Sequence, residues 1–241
     1  MNITDKTKVG EIVASNINLA KVLNEYEIDF CCGGERLLSE ICLEKNLSLD
    51  EVVTALTSNA EPLSTPGLQF DNWSLDLLID YIVKYHHHYI RTEGPQTLKL
   101  LQKVAKVHGT ANPKLIDIYS LFQESLSDLH EHLEKEEVVL FPFIEELLKT
   151  EEMNLQLPNF HCGSIENPIG VMMHEHSNEG DRFRKIATLS QEYSCPEYAC
   201  DSYKLVMQML SDFENNLHLH IHVENNILFP KAVSLQEKLS K

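Results

Sequence analysis

Two stretches of the chain place a histidine and a glutamate four residues apart, each shortly before Leu-Phe-Pro. His132 opens HLEKEEVVLFP and His220 opens HIHVENNILFP, both of the form His-x-x-x-Glu-x-x-x-Leu-Phe-Pro. A helix advances about 3.6 residues per turn, so His132 stacks over Glu136, and His220 over Glu224, on one helical face. Two such helices facing each other offer two imidazole nitrogens and two carboxylates able to bridge. That is a donor set for a dinuclear metal centre inside a helix bundle.

The elements that must position these residues are legible from Asp71 onward. Leu75, Ile79, Ile82, His86 and Ile90 form one apolar stripe, and Gly94-Pro95 is expected to break or kink that helix before a second section, Gln96–Val107. A long helix follows from about Pro113 to Lys149, with Ile118, Phe122, Leu129, His132, Glu136, Leu140 and Phe143 inward. Pro168–Glu192 presents Ile169, Met173, His176 and Phe183, and a last helix carries Val206, Leu210, Phe213, Leu217, His220, Glu224 and Ile227. No segment reads as a strand. The expected fold is all-α, an antiparallel four-helix bundle over residues 70–241. Pro142 and Pro230 each sit six residues after a motif glutamate, so a kink is expected at the first and a helix end near the second.

In front of the bundle, residues 1–60 read as a small helical unit interrupted by FCCGGE, with Ser48–Glu51 as a capping box for a last short helix, Val52–Leu56. Residues 61–69, rich in proline, serine and glycine, read as a linker.

Twelve histidines are too many to share one role. His86, His132, His176 and His220 fall on the inward stripe of four different helices. His87, His88, His130, His174, His218 and His222 lie off those stripes, and His108 and His161 lie in connections. One inward histidine is ordinarily a hydrogen-bonded core residue. Four of them, two with a carboxylate one turn on, read instead as ligands, because buried carboxylates require a cation. Four imidazoles and two carboxylates favour a transition metal over calcium or magnesium. Iron fits best; manganese and zinc accept the same ligands.

The totals restrict the alternatives. A formal net charge of −17 argues against nucleic-acid backbones and anionic membrane surfaces. The N-terminus MNITDKTKVGEIV lacks the basic start and apolar core of a signal peptide, and no apolar run approaches the ~20 residues of a membrane span, so a cytoplasmic location is expected. Six cysteines in such a chain read as reduced thiols rather than a disulfide framework.

With these motifs in view, the bundle resembles haemerythrin-like domains. The whole chain resembles the iron–sulfur cluster repair di-iron proteins of the YtfE/ScdA type. The resemblance rests on DFCCGGE at the front and on Lys84–His86, HLEKEEVVLFP, His174–His176 and HIHVENNILFP behind it. It implies that the iron ligands are His86, His132, Glu136, His176, His220 and Glu224, the residues the stripes select. It further implies a non-haem centre of two iron ions per chain, oxo- or hydroxo-bridged, in a cytoplasmic homodimer. The implied role is restoring iron–sulfur clusters damaged by nitrosative or oxidative stress, by iron donation, by nitric oxide removal, or both. Oxygen-carrying haemerythrins have one more histidine ligand than this set, a departure that speaks against simple oxygen carriage.

Cys31-Cys32-Gly33-Gly34 is the signature of the front domain. Adjacent cysteines do not readily form an unstrained disulfide, and the glycines permit unusual backbone angles or close approach of another group. The functional reading is a thiol pair that passes iron, nitric oxide or electrons; the structural reading is a tight turn with half-buried thiols. Cys42, Cys162, Cys195 and Cys200 are assigned to packing or loops. Glu175 adjoins His176 and is a candidate for lining an access path or steering protons, although most glutamates are simply solvated.

Two other functional classes compete. One is a haemerythrin-like sensor that holds O₂ or NO reversibly while the short domain signals. The other is an oxidase or ferroxidase, whose bundles ordinarily carry Glu-x-x-His and more carboxylates than are found here.

Overall fold

The computed structural model describes residues 3–60 and 69–240. The linker expected at 61–69 therefore lies, apart from Gln69, outside the described residues. Among the described residues there is no strand, and one isolated antiparallel bridge joins Lys8 to Leu37. The chain divides into two compact units. One comprises Met1–Ile79, Leu147–Pro158 and Ile221–Lys241; the other comprises Asp80–Glu146 and Asn159–His220.

The first unit gathers both ends of the chain. Its front part holds four short helices, α1 (Val9–Ser15), α2 (Leu19–Glu25), α3 (Leu38–Glu44) and α4 (Leu49–Asn59). The Ser48 hydroxyl accepts from the Glu51 N–H, the capping contact expected from SLDE, and the helix it opens is longer than Val52–Leu56. Ile12, Leu23, Leu38, Val52 and Leu56 are wholly buried and supply the small core.

The second unit holds most of the four-helix bundle, whose helices run on in the chain into stretches of the first unit, through the residues before Asp80, from Leu147 and from Ile221. Its chain enters through α5 (Leu75–Tyr81) and a π-helical turn, Ile82–His87, and continues as α6 (His88–His108). Next come α7 (Lys114–Lys135), a second π turn (Glu136–Leu140) and α8 (Phe141–Met153). Then α9 (Glu166–Ser190) precedes α10 (Asp201–Val223), which runs through a third π turn (Glu224–Leu228) into α11 (Phe229–Leu239). In the bundle α7 packs along both α6 and α9. Phe213 of α10 closes the fourth side, stacked on Phe183 of α9 at 5.8 Å and edge-on to Phe122 of α7 at 5.1 Å.

Proline does not end these helices. Pro95 lies inside α6, so of the break or kink expected at Gly94-Pro95 the break is absent. A Cβ on Gly94 would come within 2.6 Å of Leu126, and the bare glycine is what lets α6 lie this close to α7. Pro142 and Pro230 likewise sit within continuing helices, so Pro230 marks no end. Each falls in the first turn after a π turn, where a missing N–H is tolerated. One further position differs. Met172 is buried while Met173 is 40% exposed, reversing the expected side chain of α9.

Candidate metal centre

The three π turns coincide with the candidate ligands. Ile82–His87 contains His86 and His87, and the other two begin at Glu136 and Glu224. In each, the first residue beyond the turn donates its N–H five residues back. His88 reaches Val83, Phe141 reaches Glu136 and Phe229 reaches Glu224. Such turns are rare and concentrate at functional sites.

Inside the bundle unit, Glu136 is the centre of the arrangement. It is fully buried, with one carboxylate oxygen 3.2 Å from His132 Nε2 and the other 3.3 Å from His87 Nε2. His132 Nε2 lies 3.0 Å from His176 Nε2. Donor atoms of His132, Glu136 and His176 all fall within 4.8 Å of one another, as do those of His87, Glu136 and His220. Bonds of about 2.1 Å at near right angles set neighbouring donors about 3 Å apart, so these spacings fit first-row transition metals. Glu224, one turn beyond His220 on the same continuous helix, is fully buried.

The imidazoles are held from behind. His132 Nδ1 lies 2.9 Å from Glu175, which Lys135 grips at 2.5 Å. The His132 hydrogen bond, helped by Lys135, pulls the Glu175 carboxyl down to about 2. Glu175 thus turns toward His132 of α7 rather than toward its sequence neighbour His176. His86 is buried, its Nδ1 3.1 Å from Asn216 Oδ1 and its ring stacked on His220 at 5.5 Å. Burial, with the nearby His87 adding to it, holds His220 well below the usual imidazole range and so neutral, the form that ligates a metal.

Two histidines set aside by the periodicity are buried after all. His87 belongs with Glu136 and His220, because the widened turn brings two successive side chains inward. His222, in the first unit, packs edge-on against Phe30 at 5.6 Å. Straight 3.6-residue periodicity misses both. The run His86–His88 and the paired glutamates Glu136-Glu137 were the available signals for the first.

In the first unit Cys31 is buried and Cys32 partly so, neither in a disulfide, with sulfurs 3.9 Å apart. Asp29 Oδ1 accepts from the N–H groups of Cys31 and Cys32 at 3.0 and 2.9 Å and from the Cys31 thiol at 3.3 Å. Asp29, Cys31 and Cys32 form a third group with donor atoms within 4.8 Å. The hydrogen bond with Cys32, together with burial and Asp29, raises the Cys31 thiol well above the usual range and keeps it protonated. Asn226 Nδ2 donates to the carbonyls of Phe30 and Cys31 at 3.3 and 3.1 Å. Neither Gly33 nor Gly34 is left-handed. Gly34 is required for close approach, since a Cβ there would lie 2.2 Å from Asn226 Oδ1. Cys42 is buried, Cys162 half-buried, and Cys195 and Cys200 exposed.

No helix among the described residues is long and apolar enough to cross a membrane.

Two family models match the chain. The ScdA_N model, a domain of unknown function, covers residues 5–60, and the hemerythrin HHE cation-binding domain covers residues 78–232. A probable iron-sulfur cluster repair protein of Haemophilus influenzae is 32% identical over 228 residues, covering 94% of this chain and 96% of the relative. The iron-sulfur cluster repair protein ScdA of Staphylococcus epidermidis is 29% identical, covering 95% of this chain and 99% of that one. The iron-sulfur cluster repair protein YtfE of Yersinia pseudotuberculosis is 28% identical, covering 93% and 96%. A buried cation-binding donor set in a four-helix bundle, behind a cysteine-bearing front domain and matched over nearly its full length, places this chain in the iron–sulfur cluster repair family of ScdA/YtfE-type proteins.

Proposed function

We propose that this chain repairs iron–sulfur clusters damaged by nitrosative or oxidative stress, using two iron ions held in the bundle by His86, His132, Glu136, His176, His220 and Glu224. The observation that carries the reading is Glu136, buried between imidazoles with an oxygen toward each. A carboxylate so placed can serve two metals at once, and the buried imidazoles on either side complete a nitrogen-rich shell. Bound there, two iron ions supply redox chemistry and a store of transferable metal. The protein's part is to exclude water from the donor set, to fix His86 and His132 through their outer nitrogens, and to offer Cys31 and Cys32 as thiols for a client. A buried Cys31 kept protonated gives up its proton when a soft metal ion displaces it, which makes its ligation dependent on such a partner. Repair proceeds by iron donation, by nitric oxide removal, or by both, in a homodimer.

The test begins with iron content and Mössbauer spectra of the purified protein. Two irons per chain are expected, and a Glu136→Leu/Glu224→Leu chain should lose both. Full occupancy in that double variant refutes the centre. Isotope-labelled iron appearing in a repaired client, set against nitrous oxide released on anaerobic nitric oxide addition, separates donation from removal. Sedimentation equilibrium checks the dimer.

A further inference from the structure

We infer that Cys200, Cys195 and His108 form a thiol–disulfide exchange site where α6 ends and α10 begins, with a small organic disulfide as its substrate. The inference goes beyond the metal reading above and rests on other residues.

The observation is a cysteine paired with a histidine from another helix. Cys200 immediately precedes α10, and its carbonyl accepts from the N–H groups of Tyr203 and Lys204 at 2.9 and 3.1 Å, so it caps that helix. A sulfur there faces the partially positive end of a 23-residue helix, which favours negative charge. Its Sγ lies 3.3 Å from Nε2 of His108, the last residue of α6. Cys200 is exposed, so a small molecule can reach it. An accessible nucleophile, a base in contact with it and a helix N-terminus are the surroundings in which thiols react.

A second thiol stands nearby. Cys195 is also exposed. Between the two, the Ala199 N–H donates to the Pro196 carbonyl at 2.9 Å, closing a turn that Cys195 and Cys200 flank. The Cys195 thiol interacts electrostatically with Tyr203 and Lys204, both in the first turn of the helix that Cys200 caps. Tyr203 is itself pinned. It is buried, its hydroxyl accepts from Asn112 Nδ2 at 2.9 Å, and its ring lies 5.5 Å from that of His108. One buried ring thus neighbours both the base and the second thiol. Closing the exposed turn to a Cα spacing of about 5.5 Å lets the two sulfurs bond.

The exchange runs in two displacements. His108 Nε2 takes the Cys200 proton as Sγ attacks one sulfur of the small disulfide. That disulfide bond breaks, a mixed disulfide forms on Cys200, and the departing thiolate recovers the proton from His108. Cys195 then attacks Cys200 Sγ and expels the second small thiol, which carries away the Cys195 proton. Two protein thiols are oxidised and one disulfide is reduced to two thiols, with no other reactant. Desolvation raises the Cys195 thiol, with Lys204 opposing it, which suits the second nucleophile rather than the first.

The experiment treats the full-length, iron-loaded, reduced protein with oxidised glutathione and reads residues 186–204, one tryptic peptide carrying both cysteines. That peptide should become two hydrogens lighter and resist alkylation, and dithiothreitol should reverse both changes. Cys195→Ser should instead hold glutathione on Cys200, and Cys200→Ser should leave Cys195 unreacted over the same period. His108→Gln should slow alkylation of Cys200 by iodoacetamide about 100-fold. Iron content should match the parent in all three, because Cys200 lies roughly 30 Å along α10 from His220. A parent peptide that stays reduced, or that keeps glutathione without closing the disulfide, overturns the inference. Unslowed alkylation in His108→Gln also overturns it. Should His108→Gln fail to fold by circular dichroism, the two serine variants decide, and equal glutathione labelling of Cys195 and Cys200 overturns the assigned order.

Discussion

Asn226 Nδ2 donates to the Cys31 carbonyl across 3.1 Å, while its Oδ1 lies where a Cβ on Gly10 or Gly34 would have to sit. One amide thus seats the cysteine loop and explains two glycines. Adding a methyl at Gly10 would bring it within 2.6 Å of that oxygen, and the amide is not free to swing away. Gly10→Ala should therefore cost about 1–3 kcal/mol in denaturant unfolding. In an Asn226→Ala background the same substitution should cost less, with a coupling above about 0.5 kcal/mol. Additive effects would show that the amide does not impose the glycine.

Glu175 fixes the outer nitrogen of His132 at 2.9 Å. Replacing it by Gln keeps the length and removes the charge that holds the proton on Nδ1. Iron retention against a chelator should weaken about 10- to 100-fold. Lys135→Met, which removes only the grip on Glu175, should have the smaller effect. Equal retention in Glu175→Gln and the parent would make the contact incidental.

Glu214, on α10, supplies a pH signature. Burial pushes its carboxyl up to about 7, against about 4.3 in an unfolded chain. Between those values the native state holds a proton that the unfolded state has released. Its contribution is fully present at low pH and is lost as pH rises through about 7. Glu214→Gln stays neutral, so its denaturation midpoint should decline less than the parent's between roughly pH 5 and pH 8. Parallel profiles would assign the decline to other groups.

The cysteine pair should be separable from the metal centre. Cys31→Ser/Cys32→Ser should leave iron content and visible absorption intact, because neither thiol belongs to the donor groups of the bundle unit. Restoration of a nitric-oxide-damaged cluster enzyme in a coupled assay should nevertheless drop. Parental repair in that variant would reduce the loop to a structural turn.

The helical class and the burial of His86, His132, His176, His220 and both motif glutamates were legible because burial repeats every three or four residues along each helix, although His86 falls outside both buried donor groups. What escaped was each place where the helix departs from that repeat. His87 was set aside because a regular turn would point it away from His86, and the widened turn does not. Pro230 read as an end because proline opposes an α-helix, yet it falls where a new helical segment begins. Glu175 read as a solvated neighbour of His176 because its partner, His132, lies on another helix 43 residues earlier. Such a contact leaves no trace in local spacing. Of the two reasons the sequence offered for the glycines after Cys32, close approach is the one seen, but the groups approaching were not legible: Asn226, almost two hundred residues away, crowds Gly34, and the Asp29 carbonyl crowds Gly33.

Glu224 and Asn226 stand two residues apart on one widened turn, the first a candidate ligand and the second the clamp on the cysteine loop. One short turn therefore answers to two demands at once, a buried carboxylate at its first residue and a seated cysteine loop at its third. A substitution between them, at Asn225, has to satisfy both, which leaves this turn less room to vary than its length suggests.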